Sequence, residues 1–240
     1  MSDSTPRLWA VVPAAGKGSR FGADCPKQYL DLGNAAVIEH SLHALLAEPR
    51  IATVVVALRG DDSHFQQLAV SRNSRVRAVQ GGAERADSVE LALASIAQDA
   101  GERDWVLVHD AARPCLSGSD LSRLIEECLA RDCGGILAQP MVDTVKRAND
   151  RQQVVETVDR TVLWRAQTPQ MFPLADLFSA LADCRKRGVL VTDEASAIEA
   201  TGGHVAIIQG SHRNIKITHR EDLALAEFFL NELRVEGDSP

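Results

Sequence analysis

From Leu8 onward, short unbroken apolar runs alternate with stretches in which apolar residues recur every three or four positions. The runs at 8–13 (LWAVVP), 51–58 (IATVVVAL), 75–79 (RVRAV), 104–109 (DWVLVH), 134–138 (GGILA) and 204–208 (HVAII) are short, β-branched and not alternating. They predict strands covered on both faces. Between them, Val37, Ile38, Leu42, Leu45 and Leu46 share one helical stripe, Val89, Leu91, Leu93 and Ile96 mark a second helix, and Leu121, Leu124, Ile125 and Leu129 a third. Asp87, followed three residues later by Glu90, predicts the start of the second helix. Strand, helix, strand, repeated in this way, implies right-handed crossovers and an α/β fold: a Rossmann-like, mainly parallel sheet with helices on both faces. No internal repeat, low-complexity tract or linker interrupts the pattern, so residues 1–240 are expected to form a single domain.

One segment departs from the alternation. From Gln139 to about Arg165, two half-polar, β-like stretches, TVKRA and VVETV, flank the turn-prone NDRQ. This predicts a protruding β-hairpin arm at about 139–165. An isolated hairpin is marginal in water, so the arm should either fold back on its own domain or grip a second copy of the chain.

Composition excludes several classes. The chain is 45% hydrophobic and 25% charged, the balance of an ordinary globular protein. No apolar run approaches the ~18 residues of a membrane span, and no basic segment followed by a long apolar one opens the chain, so the expected setting is cytoplasmic. Five cysteines, an odd number without CxxC spacing, indicate neither a disulfide framework nor a zinc site. A net charge of -7 argues against a general nucleic-acid surface. Any phosphate held here must be held by cations placed locally.

Ligands of an open parallel sheet sit beyond the carboxyl ends of its strands. There the sequence places PAAGKGSRF, GGAERADS, DAARP and NIKITHRED. The first is neither of the common phosphate loops: Gly16-Lys17-Gly18 lacks the upstream glycine of GxxxxGK[ST], and Phe21 stands where GxGxxG needs its third glycine. What remains is GxGxR, with Lys27 seven residues on, in a stretch marked by Pro26. Gly16 and Gly18 would let backbone N–H groups approach a polyphosphate, with Arg20 and Lys27 supplying charge. The alternative is a simple turn with solvated cations. GGAERADS offers bare backbone and the Ser88 hydroxyl to a neutral heterocycle. Asp110 is placed like a magnesium ligand, or else caps a helix, and Arg113 faces a phosphate or pairs with a carboxylate.

The ordered set P-A-A-G-x-G-x-R-F, P-K-Q-Y, G-G-x-x-R-x-x-S-V, V-H-D-A-A-R-P, D-T-V-K-R, T-x-D-R, T-P-Q-x-F, T-D-E-A-S and N-I-K-I-T closely resembles the 2-C-methyl-D-erythritol 4-phosphate cytidylyltransferase family, from about residue 9 to 228. The resemblance implies a fold of the nucleotide-diphospho-sugar transferase type. It also implies transfer of a cytidylyl group from CTP to methylerythritol 4-phosphate with release of pyrophosphate, in non-mevalonate isoprenoid synthesis, with Mg2+ as cofactor near Asp110. It makes Arg20 and Lys27 transition-state stabilisers and has Arg160 and Lys216 position the sugar phosphate. Pro13, Ala14, Ala15, Gly16 and Gly18, then Gly82, Ser88 and Asp110, surround CTP; Arg113, Thr144 and Thr168 join Arg160 and Lys216 around the acceptor. For Arg160 the alternative is a surface ion pair with Asp159 or Glu156, and for Lys216 a solvated strand-end lysine. The arm is expected to clasp a two-fold partner, giving a homodimer in which Arg160 completes the neighbouring site. The chain stops at Pro240, so no fused second enzyme is expected. The attacking phosphate monoester is already anionic, so the chemistry needs cations rather than a protein base. Two rivals are a cytidylyltransferase acting on ribitol 5-phosphate and a noncatalytic nucleotide-binding module. An NAD-dependent dehydrogenase is disfavoured by the missing third glycine.

Overall fold

In a computed structural model of the chain, residues 6–16 and 25–237 are described. Strand β1 (Leu8–Pro13) leads to a small hairpin, β2 (Asp31–Leu32) and β3 (Ala35–Ala36), then α1 (Val37–Ala47) and β4 (Ile51–Leu58). β5 (Val76–Gln80), α2 (Arg85–Ile96), β6 (Trp105–Val108), α3 (Gly118–Arg131) and β7 (Gly135–Pro140) continue the alternation. The arm follows as β8 (Val145–Ala148) and β9 (Val154–Val158). β10 (Trp164–Pro173), α4 (Leu174–Arg187), α5 (Glu194–Ala200), β11 (Ala206–Gln209) and α6 (Asp222–Glu236) complete the chain.

Seven strands form one sheet in the order β11-β7-β10-β6-β1-β4-β5. Neighbours pair in parallel except β10, which runs antiparallel to both β6 and β7. The mainly parallel sheet is as expected; the antiparallel strand is an addition to it. β1 shows why the apolar runs are unbroken. Leu8, Ala10 and Val12 pack on one face with Ile38 and Leu42 of α1 and Leu124 of α3, while Trp9 and Val11 pack on the other with Val89 and Leu93 of α2 and Leu177 of α4. A third cluster seats Ala226, Leu230 and Leu233 of α6 against Val37 and Ile217.

Two local expectations are corrected. The second helix begins at Arg85, and Asp87, rather than starting it, sits at the third helical position, where its carboxylate accepts from Glu84 N at 3.1 Å. Leu91 is 47% exposed, so the buried stripe of α2 runs through Val89, Ala92, Leu93 and Ile96. The reason is geometric: a stripe advances by three and four residues, and Leu91 falls on the opposite side.

The arm is present but shorter than the 139–165 span. Gln139 and Pro140 belong to β7 and pair with Arg165 and Trp164 of β10, so both roots of the arm lie in the central sheet. Only β8 and β9 stand apart, as a sheet of their own. At the tip the Asn149 side chain accepts from the backbone N–H groups of Arg151 and Gln153, each at 3.0 Å. Val142, Val154, Val155 and Val162 are all exposed around the arm. All five cysteines are free thiols, and burial pushes those of Cys115 and Cys128 up to about 12. Among the described residues no helix is long and apolar enough to cross a membrane.

Candidate active site

The chain runs from β1 out to β4 and β5, then returns to the other side of β1 as β6. That reversal opens a crevice at the carboxyl ends of the strands. A cavity of about 540 Å³ fills it. Each wall is the loop that follows a strand: Pro13 to Gly16 after β1, Arg59 after β4, Gly82 to Arg85 after β5, and Asp110 to Ala112 after β6. Lys27, Gln28, Ser88 and Lys216 close it.

The backbone side of the cavity is fixed by short bonds. Ala14 N donates to Ala57 O at 2.8 Å and Gly81 N to Leu58 O at 2.6 Å. At Gly82 a Cβ would stand 2.3 Å from the Cβ of Asp87, so only glycine fits against the first turn of α2. The Ser88 hydroxyl, expected at a base edge, is committed to this loop: it accepts from Gly82 N at 3.1 Å and donates to Glu84 O at 3.0 Å. One lone pair is left for a ligand.

Lys27 opens a 3-10 turn, Lys27–Tyr29, directly after Pro26. The turn is held from three sides. Gln28 Nε2 donates to Ala14 O at 2.9 Å, the Tyr29 hydroxyl donates to Asp62 at 2.6 Å, and Lys27 Nζ donates to Ile217 O at 2.9 Å. Arg20 and Gly18 lie outside the described residues.

Asp110 is buried at the end of β6 and receives Lys216 Nζ at 2.8 Å, Arg85 Nε at 3.1 Å and Arg113 Nε at 3.7 Å. Burial disfavours its ionisation, but Arg85, then Lys216 and Arg113, outweigh it and hold the carboxyl far below the usual carboxylate range. It caps no helix: α3 starts at Gly118 under Ser117, whose hydroxyl accepts from Asp120 N at 3.2 Å. Arg113 takes its carboxylate-pairing alternative as an ion pair at 3.7 Å, while its Nη1 donates to Asn214 O at 2.7 Å, and it does not line the cavity. Lys216 is exposed, as its solvated alternative required, but its Nζ is paired with Asp110; Ile217 N, bonded to Ala112 O at 2.8 Å, lays the NIKIT segment alongside that carboxylate.

Behind Asp110 runs a chain of fixed polarity. Burial lowers His109 to about 4, so its ring is neutral. Its Nε2 faces the carbonyl of Arg113 at 3.1 Å and must carry the hydrogen. Nδ1 then accepts from the Thr168 hydroxyl at 3.0 Å, and Thr168 Oγ1 accepts from Asp110 N at 3.0 Å. Thr168 therefore reaches the site through the backbone of Asp110; its side chain is not among those lining the cavity.

Thr144 and Arg160 also stand away from the cavity. Both are exposed beside the arm, where Arg160 donates to Val142 O. Neither expected partner takes Arg160: Glu156 pairs with Arg147 at 2.8 Å, and Asp159 accepts from Thr161 N at 2.9 Å. Arg85, by contrast, received no role from its motif and occupies the centre. Its Nε bonds Asp110, and both ends of its fork meet Glu194 of T-D-E-A-S, at 2.6 and 3.0 Å. The signal was two motifs carrying opposite charges and no assigned chemistry.

Among the described residues, no group of three or more His, Cys, Asp or Glu side chains is placed to hold a metal by itself. The ionised Asp110, with lone pairs beyond those its cations use, fits a magnesium ion that brings its remaining ligands from phosphate oxygens.

Comparison with known proteins covers nearly the whole chain. The family model for 2-C-methyl-D-erythritol 4-phosphate cytidylyltransferase matches residues 8–232. The enzyme of that name from Vibrio vulnificus (strain YJ016) is 51% identical over 231 residues, 96% of this chain and 98% of its own. That from Serratia proteamaculans (strain 568) is 52% identical over 229 residues, 95% of this chain and 96% of its own. A crystal structure of a 4-diphosphocytidyl-2C-methyl-D-erythritol synthase superposes with a TM-score of 0.82 at 38% identity, covering 95% of this chain and 100% of that one. The Thermus thermophilus enzyme superposes at 0.76 with 31% identity, over 92% and 98% of the two chains.

Proposed function

The chain belongs to the 2-C-methyl-D-erythritol 4-phosphate cytidylyltransferase family, and from that premise we propose how its own residues carry the reaction. The protein transfers a cytidylyl group from CTP to 2-C-methyl-D-erythritol 4-phosphate, yielding 4-CDP-2-C-methyl-D-erythritol and pyrophosphate, in the MEP pathway of isoprenoid synthesis. The observation that carries the site assignment is the convergence of Lys27, Lys216 and Arg85 on one cavity around the buried Asp110.

In this reading the backbone from Pro13 to Gly16 and the Gly82 loop braced by Ser88 receive the cytidine and the first phosphates. Lys27, on its three-sided turn, and Arg20 meet the charge that grows as the acceptor phosphate approaches the α-phosphorus. Two anions must come together there, so fixed cations in a crevice do most of the work. Lys216 holds the acceptor phosphate at the edge where it also touches Asp110, and Arg113 and Thr168 keep that edge in place. Asp110 would hold Mg2+, which when bound neutralises phosphate charge. The acceptor monoester is its own nucleophile, so no side chain has to take a proton.

The acceptor side is completed by Arg160 and Thr144 of a second copy. Their exposure beside the arm and the apolar residues around it support a homodimer. Five free cysteines support a cytoplasmic setting.

A pyrophosphate-release assay over four nucleoside triphosphates and a panel of polyol phosphates tests the reading. Turnover is expected with CTP and methylerythritol 4-phosphate, and chelation of divalent ions should abolish it. Turnover with ribitol 5-phosphate in place of methylerythritol 4-phosphate would overturn the acceptor assignment, and full activity under chelation would remove magnesium from it.

A further inference from the structure

Glu194 is only 1% exposed, yet the reaction described above gives it no task. It is the first residue of α5, and that turn is bolted to the sheet. Ser196 N donates to Asp193 at 3.0 Å, Ala195 N to the side chain of Gln170 in β10 at 2.9 Å, and Gln170 Nε2 back to Asp193 at 2.9 Å. The carboxylate is thereby a fixed anion facing Arg85, whose fork it takes at both ends. Arg85 is left with Nε alone for Asp110, on Oδ1 at 3.1 Å. Lys216 holds the other oxygen, Oδ2, at 2.8 Å.

An arginine fork prefers to grip a carboxylate with two parallel bonds. Without an anion behind it, Arg85 would turn that grip on Asp110, the nearest carboxylate, and compete with Lys216 for Oδ2. We propose that Glu194 is a positioning residue for cytidylyl transfer: by holding the fork of Arg85, it keeps one oxygen of Asp110 for Lys216 and so keeps Lys216 in place for the acceptor phosphate. The inference rests on the reading of Lys216 given above. It assigns the T-D-E-A-S segment a task in the site, exerted through Arg85 at the end of the Gly82 loop.

The test is a double-mutant cycle on the full-length protein, read by steady-state kinetics, calorimetric CTP binding and thermal unfolding. Glu194→Gln keeps the volume and removes the anion. It should raise the KM for methylerythritol 4-phosphate and lower kcat, each by about tenfold, while the Kd for CTP stays within about threefold. Because Glu194 acts through Arg85, its effect should vanish in an Arg85→Gln background: the double variant should match Arg85→Gln alone. A purely structural ion pair would lower the unfolding temperature and leave the acceptor KM unchanged, and that result overturns the proposal. Equal losses from Glu194→Gln in both backgrounds also overturn it. Should Glu194→Gln fail to fold, Arg85→Lys keeps the charge but cannot be held at two ends, and a normal acceptor KM for it sinks the idea. Wild-type turnover is measured first; its absence would overturn the reading of the site itself, whereas an active wild type with a silent Glu194→Gln removes only this inference.

Discussion

Three bonds from three different loops meet on the turn that carries Lys27, and this is more fixation than a surface lysine needs. A cation held in advance of the reaction costs no reorganisation when charge appears, which makes it worth more in the transition state than in binding. Lys27→Ala is accordingly expected to lower kcat by ~10²–10³-fold, the range seen when one donor to a developing oxyanion is removed, with a smaller effect on CTP affinity. Single-turnover and steady-state rates with a CTP titration check this; a kcat within about threefold of wild type would refute the assignment. At this scale, what the sequence reveals depends on where a charge ends up. Lys27 and Lys216 stand in motifs beside strand ends; the glycine-turn pattern singled out the first and the family resemblance the second, and both line the cavity. Arg85 and Glu194 stand in equally clear motifs, but the bond between them spans 109 positions of chain, and no local pattern announces that a carboxylate will be buried.

Helices and strands were legible where burial follows a simple period, as in β1, β4 and α1. β10 was not, because the part of it that enters the core carries Gln167, Thr168 and Gln170, all buried, with a proline among them. Such a strand looks polar until its partners are known: Gln167 Nε2 donates to Ser211 O at 2.9 Å and Gln170 Nε2 to Asp193 at 2.9 Å. α6 hides for the opposite reason, since Leu225 and Phe228 are exposed on the side away from its buried stripe. α4 does carry a readable stripe through Leu174, Leu177, Leu181 and Cys184, which lies outside the strand runs that organise the hydrophobic pattern. One element also sets a pH limit. On α1, the buried His40 donates from Nε2 to Leu32 O at 2.8 Å, and burial holds the imidazole below its usual range. Below about pH 6.5 the unfolded chain takes up a proton there that the folded chain refuses, so stability falls as pH falls, by at most ~1.4 kcal/mol per pH unit for this one group. Urea unfolding between pH 7 and 5 should show a shallower decline for His40→Gln than for wild type; parallel curves would exclude His40 as a source of the slope.

For the whole molecule the decisive question is how many copies make one site. Lys27 lines the cavity while Arg160 stands exposed beside the arm, and a shared site in a closed two-fold dimer would bring both to one acceptor. Lys27→Met and Arg160→Met, each inactive alone, are therefore expected to complement when unfolded and refolded together. Random pairing makes about half of the dimers mixed, with one intact site in each, so roughly a quarter of wild-type activity should return. If mixing restores nothing, Arg160 serves its own chain. The rooting of the arm in the central sheet has a further consequence, for the lengths this chain tolerates. β10 leaves the arm at Trp164, is in register with β7 through Ala166, and reaches Thr168 two residues later. Residue parity along a strand decides which face a side chain takes. One amino acid inserted between Trp164 and Ala166 would exchange the faces of the residues paired with Gln139 and Pro140, ahead of the break in register that follows Ala166, whereas one inserted at the Asn149 tip would leave that parity intact. The arm is thus a place where the gene can drift in length at one end and is held to its count at the other.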